Sequence, residues 1–170
     1  METLLENDVM IDKSTLQNID WDSLTFSLNP TRSMYVAECI EGGEWGTGKL
    51  IPYGDVKISP ASGVLNYGQG VFEGLKAFRS LKDRVIFFRV DKNAMRFYRS
   101  CKRLCIPPIQ VEMFIEAIEK VVKDNMDYVP PAGKGSLYIR PVAWGTGPVL
   151  GVNPAPSYTF LIFVSPVGPY

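Results

Sequence analysis

Between residues 110 and 125, apolar side chains return every three or four positions, at Val111, Phe114, Ile115, Ile118, Val121 and Val122. Such a stripe has the helical period and predicts an amphipathic helix with that face toward a core. A second helix is predicted over 92–105, with Asp91 as its N-cap, an inward stripe of Met95, Tyr98, Cys101 or the Lys102 stem, and Cys105, and closure by Pro107 and Pro108. Its other face is basic, because Lys92, Arg96, Arg99 and Arg103 fall on one side of a 3.6-residue period. Strand signals rich in β-branched and aromatic residues lie at 34–40, 85–89, 136–142 and 158–164. The glycines of 42–48 predict a hairpin loop leading into a partner strand at 49–52. Residues 64–67 form a short apolar run entering a glycine-rich turn, and 69–78 read as one helical turn running into a further strand. A turn at 130–135 and a Gly/Pro-rich loop at 144–154 frame the last two strands. Several strands around two principal helices predict an α+β fold with a mainly antiparallel sheet.

Composition narrows the chemistry. At 46% hydrophobic and 21% charged over 170 residues, the chain is ordinary globular material. It contains no histidine, which excludes Ser-His-Asp and Cys-His catalysis, histidine-ligated zinc and a histidine pH switch. Three cysteines, Cys39, Cys101 and Cys105, form no CxxC pair, so neither a disulfide framework nor a thiolate metal site is expected, and a reduced, cytoplasmic setting is. No apolar run approaches the roughly 20 residues of a membrane span, and neither membrane nor nucleic acid is an expected partner. The zero net charge conceals an asymmetry. Residues 1–22 hold Glu2, Glu6, Asp8, Asp12, Asp20 and Asp22 against Lys13 alone, a balance of −5 that leaves the other 148 residues at +5. This segment reads as a flexible acidic leader with at most a helical turn over 18–24, followed by a domain over 23–170. The leader keeps the chain soluble, or else marks a body that prefers anions.

Two GxGxxxG clusters, at 68–74 and 145–151, are one residue too long for a dinucleotide fingerprint and read more simply as tight turns. The arginines of the basic face carry planar forks that match phosphate or carboxylate oxygens. Arg140 alternates with apolar residues in its strand and must be paired if buried, by an anionic ligand or a structural carboxylate. It and Tyr138 are expected on opposite or diagonal faces near a strand end.

From about Phe26 onward the sequence resembles the branched-chain aminotransferases, pyridoxal-phosphate (PLP) enzymes of fold type IV, and most of all their plant-like versions. The resemblance is carried by LNYGQGVFEGLKAFR at 65–79, FRVDKNAMR at 88–96, GKGSLYIRP at 133–141, LGV at 150–152 and SPVGPY at 165–170, in the family's order and spacing. It implies that the chain is the family's small domain. The larger domain, with the lysine that holds PLP covalently, is expected to lie outside this chain, since neither Lys76 nor Lys134 matches that motif. These 170 residues alone are therefore expected to be inactive, with no catalytic residue of their own.

Carried over position by position, the resemblance implies that Arg96 binds the PLP phosphate. It implies substrate-pocket roles for Tyr67, Phe72, Tyr138 and Arg140, with Phe26 as a further pocket aromatic. Val152 matches a loop residue that reaches the neighbouring subunit in a homodimer. Amino acids and 2-oxo acids are the implied small-molecule partners, with transfer of an amino group between Leu, Ile or Val and 2-oxoglutarate. Departures from the family pattern are Ala143-Trp144, where many relatives have smaller aliphatic residues, and the turn Ser80-Leu81-Lys82-Asp83. Alternatives within the fold type are a D-amino-acid aminotransferase or an aminodeoxychorismate lyase. Outside it stands a non-catalytic binding or dimerisation module.

Overall fold

The computed structural model describes residues 19–40 and 42–169. Most of the acidic 1–22 segment, including Glu2, Glu6, Asp8, Asp12 and Lys13, lies outside the described residues, as does Tyr170 of the last motif. Within the described part of 18–24, Ser23 bonds back to the Asp20 carbonyl in a turn, and no helix forms.

Among the described residues, seven strands build one sheet: β1 (Ser33–Ile40), β2 (Lys49–Pro52), β3 (Gly70–Phe72), β4 (Leu75–Arg79), β5 (Val85–Phe87), β6 (Ser136–Gly145) and β7 (Ser157–Val167). Their order is β2-β1-β7-β6-β4-β5, with β3 also paired to β6, and every pairing is antiparallel. A short helix α1 (Gly63–Tyr67) precedes β3, and two 14-residue helices, α2 (Val90–Arg103) and α3 (Val111–Asp124), cover one face. The chain is α+β with a mainly antiparallel sheet and two principal helices, as the pattern predicts.

Alternation divides the sheet. Tyr35, Ala37, Leu137, Ile139, Phe160 and Ile162 point to the helices and are buried with Phe97, Phe114 and Ile118. Phe97, Phe114 and Phe160 meet at its centre, with ring centroids 5.3 to 6.2 Å apart. The opposite face carries a smaller cluster of Met34, Val36, Val142 and Leu161 at the β1 side, and at the β4 side it is open.

Four local expectations are corrected. Helix α2 begins at Val90 behind Arg89, which adopts a left-handed φ of 53°, so Asp91 sits in the first turn instead of capping it. Its carboxylate still favours the positive end of the helix dipole. The inward stripe is Ala94, Phe97 and Cys101, while Met95 is 44% exposed and Cys105 lies beyond the helix end in an exposed turn. Both stripes have helical spacing, and the one carrying Phe97 fills the core. Residues 69–78 hold no helical turn; they form β3 and β4, and the helical turn is α1 just before them. Tyr138 and Arg140 lie in mid-strand on the same face, as side chains two residues apart in a strand must.

Candidate active site

β6 organises the open face. Its partner on one side is β7, over ten residue pairs. On the other side, β3 and β4 pair with it in one continuous register, with Phe72 opposite Val142 and Leu75 opposite Ile139. This places Glu73 opposite Pro141 and Gly74 opposite Arg140, at the break between the two short strands. A proline in a central strand lacks a ladder donor. Here the Pro141 carbonyl accepts from Glu73 N at 2.9 Å, so the missing donor falls on the side where the strand is already interrupted.

The even-numbered residues around that break form a cluster. Arg140 donates through Nε and Nη2 to the Tyr138 hydroxyl at 3.3 and 2.9 Å. Its guanidinium carbon stands 4.8 Å from the Phe72 ring centre and 5.2 Å from that of Tyr138, both cation–π contacts. Phe26 meets Tyr138 edge-on with centroids 5.1 Å apart. It is delivered by the 25–29 segment, which is hydrogen-bonded along the end of β7 through Thr25, Ser27 and Asn29. Phe72 remains 68% exposed and Phe26 50%, so aromatic surface surrounds a held cation. Because the Tyr138 hydroxyl accepts from Arg140, its own proton is free for donation to an anion.

Gly74 makes this arrangement possible. A Cβ there would lie 2.3 Å from the Tyr138 hydroxyl, so only glycine lets the phenol lie across the strand. The two glycine clusters serve backbone approach in the same way. Gly70 pairs with Trp144, and Gly145 N donates to Gln69 O at 2.9 Å. The Gln69 side chain spans the Leu104 carbonyl and Ala155 N, joining the end of α2 to the 144–154 loop.

Tyr67 and Val152 belong to one neighbouring unit. The Tyr67 hydroxyl donates to the Leu150 carbonyl, holding a loop whose Leu150 and Val152 are 92% and 83% exposed. Trp144 packs against the smaller cluster on the β1 side of the face, away from the open aromatics.

Arg96 is reached from the helix side of the same break. Its Nε and Nη2 donate to Glu73 Oε2 and Oε1 at 2.7 and 2.6 Å, and this pairing holds the guanidinium firmly in its charged form. It lines a groove of about 420 Å³ with Val71, Arg99, Ser100, Arg103 and Leu104. Three guanidiniums and a hydroxyl face one carboxylate there. That donor set fits a phosphate group in charge and hydrogen-bonding character. Lys92, the fourth member of the basic face, pairs with its neighbour Asp91 at 3.4 Å.

Lys134 forms an ion pair with Asp22. Among the described residues no cluster of three potential metal ligands occurs, and no helix is long and apolar enough to cross a membrane. Glu73, Gly74 and Gln69 are the residues that local patterning does not single out. The available signal is Glu73 itself, an acid on the helix-facing side of an otherwise apolar run.

No family model matches the chain. It is 53% identical over 159 residues to Branched-chain-amino-acid aminotransferase 5, chloroplastic, of Arabidopsis thaliana, covering 94% of this chain and 38% of that protein. It is 54% identical over 153 residues to Branched-chain-amino-acid aminotransferase 6 of the same plant, covering 90% and 43%. The chain thus spans about two fifths of the length of these relatives, whose wider set includes proteins named chloroplastic and mitochondrial. Among solved structures, the branched-chain amino acid aminotransferase of Escherichia coli superposes with a TM-score of 0.65 at 26% identity, over 82% of this chain and 41% of that one. A bacterial-type counterpart solved with pyridoxamine 5'-phosphate, the T.th. branched-chain amino acid aminotransferase, superposes with a TM-score of 0.63 at 31% identity, over 85% and 42%.

Proposed function

We propose that this chain, which corresponds to the N-terminal portion of the branched-chain aminotransferases, forms the substrate-recognition face and cofactor-phosphate groove of such an enzyme. In complete form the protein moves an amino group between Leu, Ile or Val and 2-oxoglutarate. The observation that carries this is the cluster at the β3–β4 break, where Arg140 is fixed between Phe72 and Tyr138 on an otherwise apolar open face.

Such a face suits its substrates. The Tyr138 hydroxyl and the outer edge of Arg140 bind the carboxylate common to all of them. Phe26, Phe72 and Tyr67 enclose the variable part, where each buried methylene contributes about 0.8 kcal/mol. The same arginine accommodates glutamate, whose second carboxylate would be rejected by an all-apolar wall. Arg96 holds the phosphate of PLP in the α2 groove. PLP, when bound, supplies the electron sink for the reacting carbon. The lysine that carries PLP and moves the proton comes from a larger domain outside these 170 residues, completing a 23–170 small domain preceded by an acidic leader. Val152 and its loop reach the pocket of a second subunit in a homodimer. A cytoplasmic setting rests on the acidic start of the sequence, and cell fractionation would test it against the organellar settings named for relatives.

The test is a comparison of Arg96→Ala, Arg99→Ala and Arg103→Ala in the complete gene product. A charge-assisted contact to phosphate contributes about 1.5–3 kcal/mol, whereas a solvated arginine contributes little. PLP retention should therefore fall roughly ten- to a hundredfold with Arg96→Ala alone. Equal losses at all three positions would reduce the groove to a diffuse positive field.

A further inference from the structure

The proposed chemistry leaves one buried acid without a task. Glu73 is 6% exposed, yet the arginine it engages is 65% exposed at its side chain. Both carboxylate oxygens are committed, Oε2 to Arg96 Nε, and Oε1 to Arg96 Nη2 and to Gly74 N at 2.9 Å. The backbone is held as well, since Glu73 N donates to Pro141 O at 2.9 Å. Glu73 is thus anchored to the central strand, and Arg96 is anchored to Glu73.

We propose that Glu73 is the positioning residue for Arg96, gripping one edge of its guanidinium so that the opposite edge presents a two-pronged donor to a phosphate in the α2 groove. The inference rests on the assignment of Arg96 to the cofactor phosphate. A guanidinium has five N–H groups in a rigid plane. The Nε/Nη2 edge is consumed by Glu73, and the Nη1/Nη2 edge has the spacing to meet two oxygens of a phosphate. Arg99 shows the contrast, for its Nε reaches only the Met95 carbonyl of its own helix, and neither it nor Arg103 makes an ion pair among the described residues.

Glu73 also cancels the charge of Arg96, which makes the two possible roles opposite in sign. If charge alone attracted the phosphate, removing the Glu73 carboxylate would tighten binding. If orientation dominates, removing it loosens binding.

The probes are pyridoxamine 5'-phosphate and pyridoxamine, which have no aldehyde to react with surface lysines. Their dissociation constants are measured by calorimetry on the apo form of the complete gene product that carries this chain. The wild type should prefer the phosphorylated probe, and Glu73→Gln should lower that preference about tenfold or more while affinity for pyridoxamine stays within about twofold. Arg96→Lys keeps the charge but has no two-edged fork, and should lose as much; it also serves if Glu73→Gln fails to fold. A lower melting temperature with the preference unchanged, a preference that rises in Glu73→Gln, or full preference in Arg96→Lys would overturn the proposal. No loss of preference in Arg96→Ala would instead remove the premise, since the phosphate would then lie elsewhere.

Discussion

Replacing Gly74 by alanine is a one-carbon change whose effect follows from a single distance. The added Cβ would lie 2.3 Å from the Tyr138 hydroxyl and 3.1 Å from Cζ of the same ring. Position 74 is held in the strand register between Phe72 and Leu75, so the phenol must yield. Moving it breaks the 2.9 Å bond from Arg140, a charge-assisted contact of about 1.5–3 kcal/mol at most. It also disturbs the edge-on contact with Phe26, which contributes about 0.5–1.5 kcal/mol. Alanine returns about 0.4–1 kcal/mol by restricting the unfolded chain. The net expectation is a destabilisation of about 1–3 kcal/mol, or a few degrees of melting temperature per kcal/mol for a chain of this size. Half-saturation by leucine should rise about tenfold or more, because the carboxylate-binding pair is displaced. The decisive assay is a double-mutant cycle with Tyr138→Phe, read by urea denaturation. Without the hydroxyl, the nearest ring atom would be Cζ at 3.1 Å, which a shift of a few tenths of an ångström relieves. Gly74→Ala should then cost less than about 1 kcal/mol. Equal losses in both backgrounds would refute the proposed reason for a glycine at this position.

Arg140→Lys keeps the charge but loses the planar fork on Tyr138 and the stacking on Phe72, so half-saturation by both leucine and glutamate should rise about tenfold with little change in melting temperature; unchanged kinetics would remove Arg140 from substrate recognition. Burial pushes the Cys101 thiol up to about 12 and also raises that of Cys39, whereas Cys105 is exposed. An alkylating reagent at pH 8 should label Cys105 first and the other two only on unfolding. Since the folded Cys101 thiol ionises later than the unfolded one, its contribution to stability is complete below about pH 9 and is lost as pH rises toward 12. Urea midpoints that fall less steeply above pH 9 in Cys101→Ala than in the wild type would bear this out, and parallel curves would not.

The elements visible in the sequence are those whose pattern is long and local. Helix α3 and strands β6 and β7 have stripes or runs of seven residues or more, and the structure extends both strands beyond the expected ends. β3 and β4 were obscured because each is short and a Glu-Gly break separates them. What makes them strands is pairing with β6, some 60 residues away, which no local window contains. The inward register of α2 was ambiguous for a different reason. Met95 and Tyr98 satisfy the helical spacing as well as Ala94 and Phe97 do, and only docking against Phe114 and Phe160 selects between them. At the candidate site, residue types were legible but partnerships were not. The basic face offers four equivalent cations, and what distinguishes Arg96 is an acid 23 positions earlier, brought to it by the β3–β4 break. Likewise Tyr138 and Arg140 are readable as a pair two residues apart, but the glycine that lets them touch lies on another strand.

The central claim is that the open face around Arg140 recognises the carboxylate and aliphatic side chain of L-amino acids in a PLP-dependent transfer. Its most direct measurement uses the complete gene product loaded with PLP and supplied with single amino acids, with the 2-oxo acid product quantified by chromatography. L-Leucine, L-isoleucine, L-valine and L-glutamate should each yield their 2-oxo acids, D-alanine should not, and Arg140→Ala should slow all four. Conversion of D-alanine, or conversion of the four L-amino acids that Arg140→Ala leaves unchanged, would contradict it.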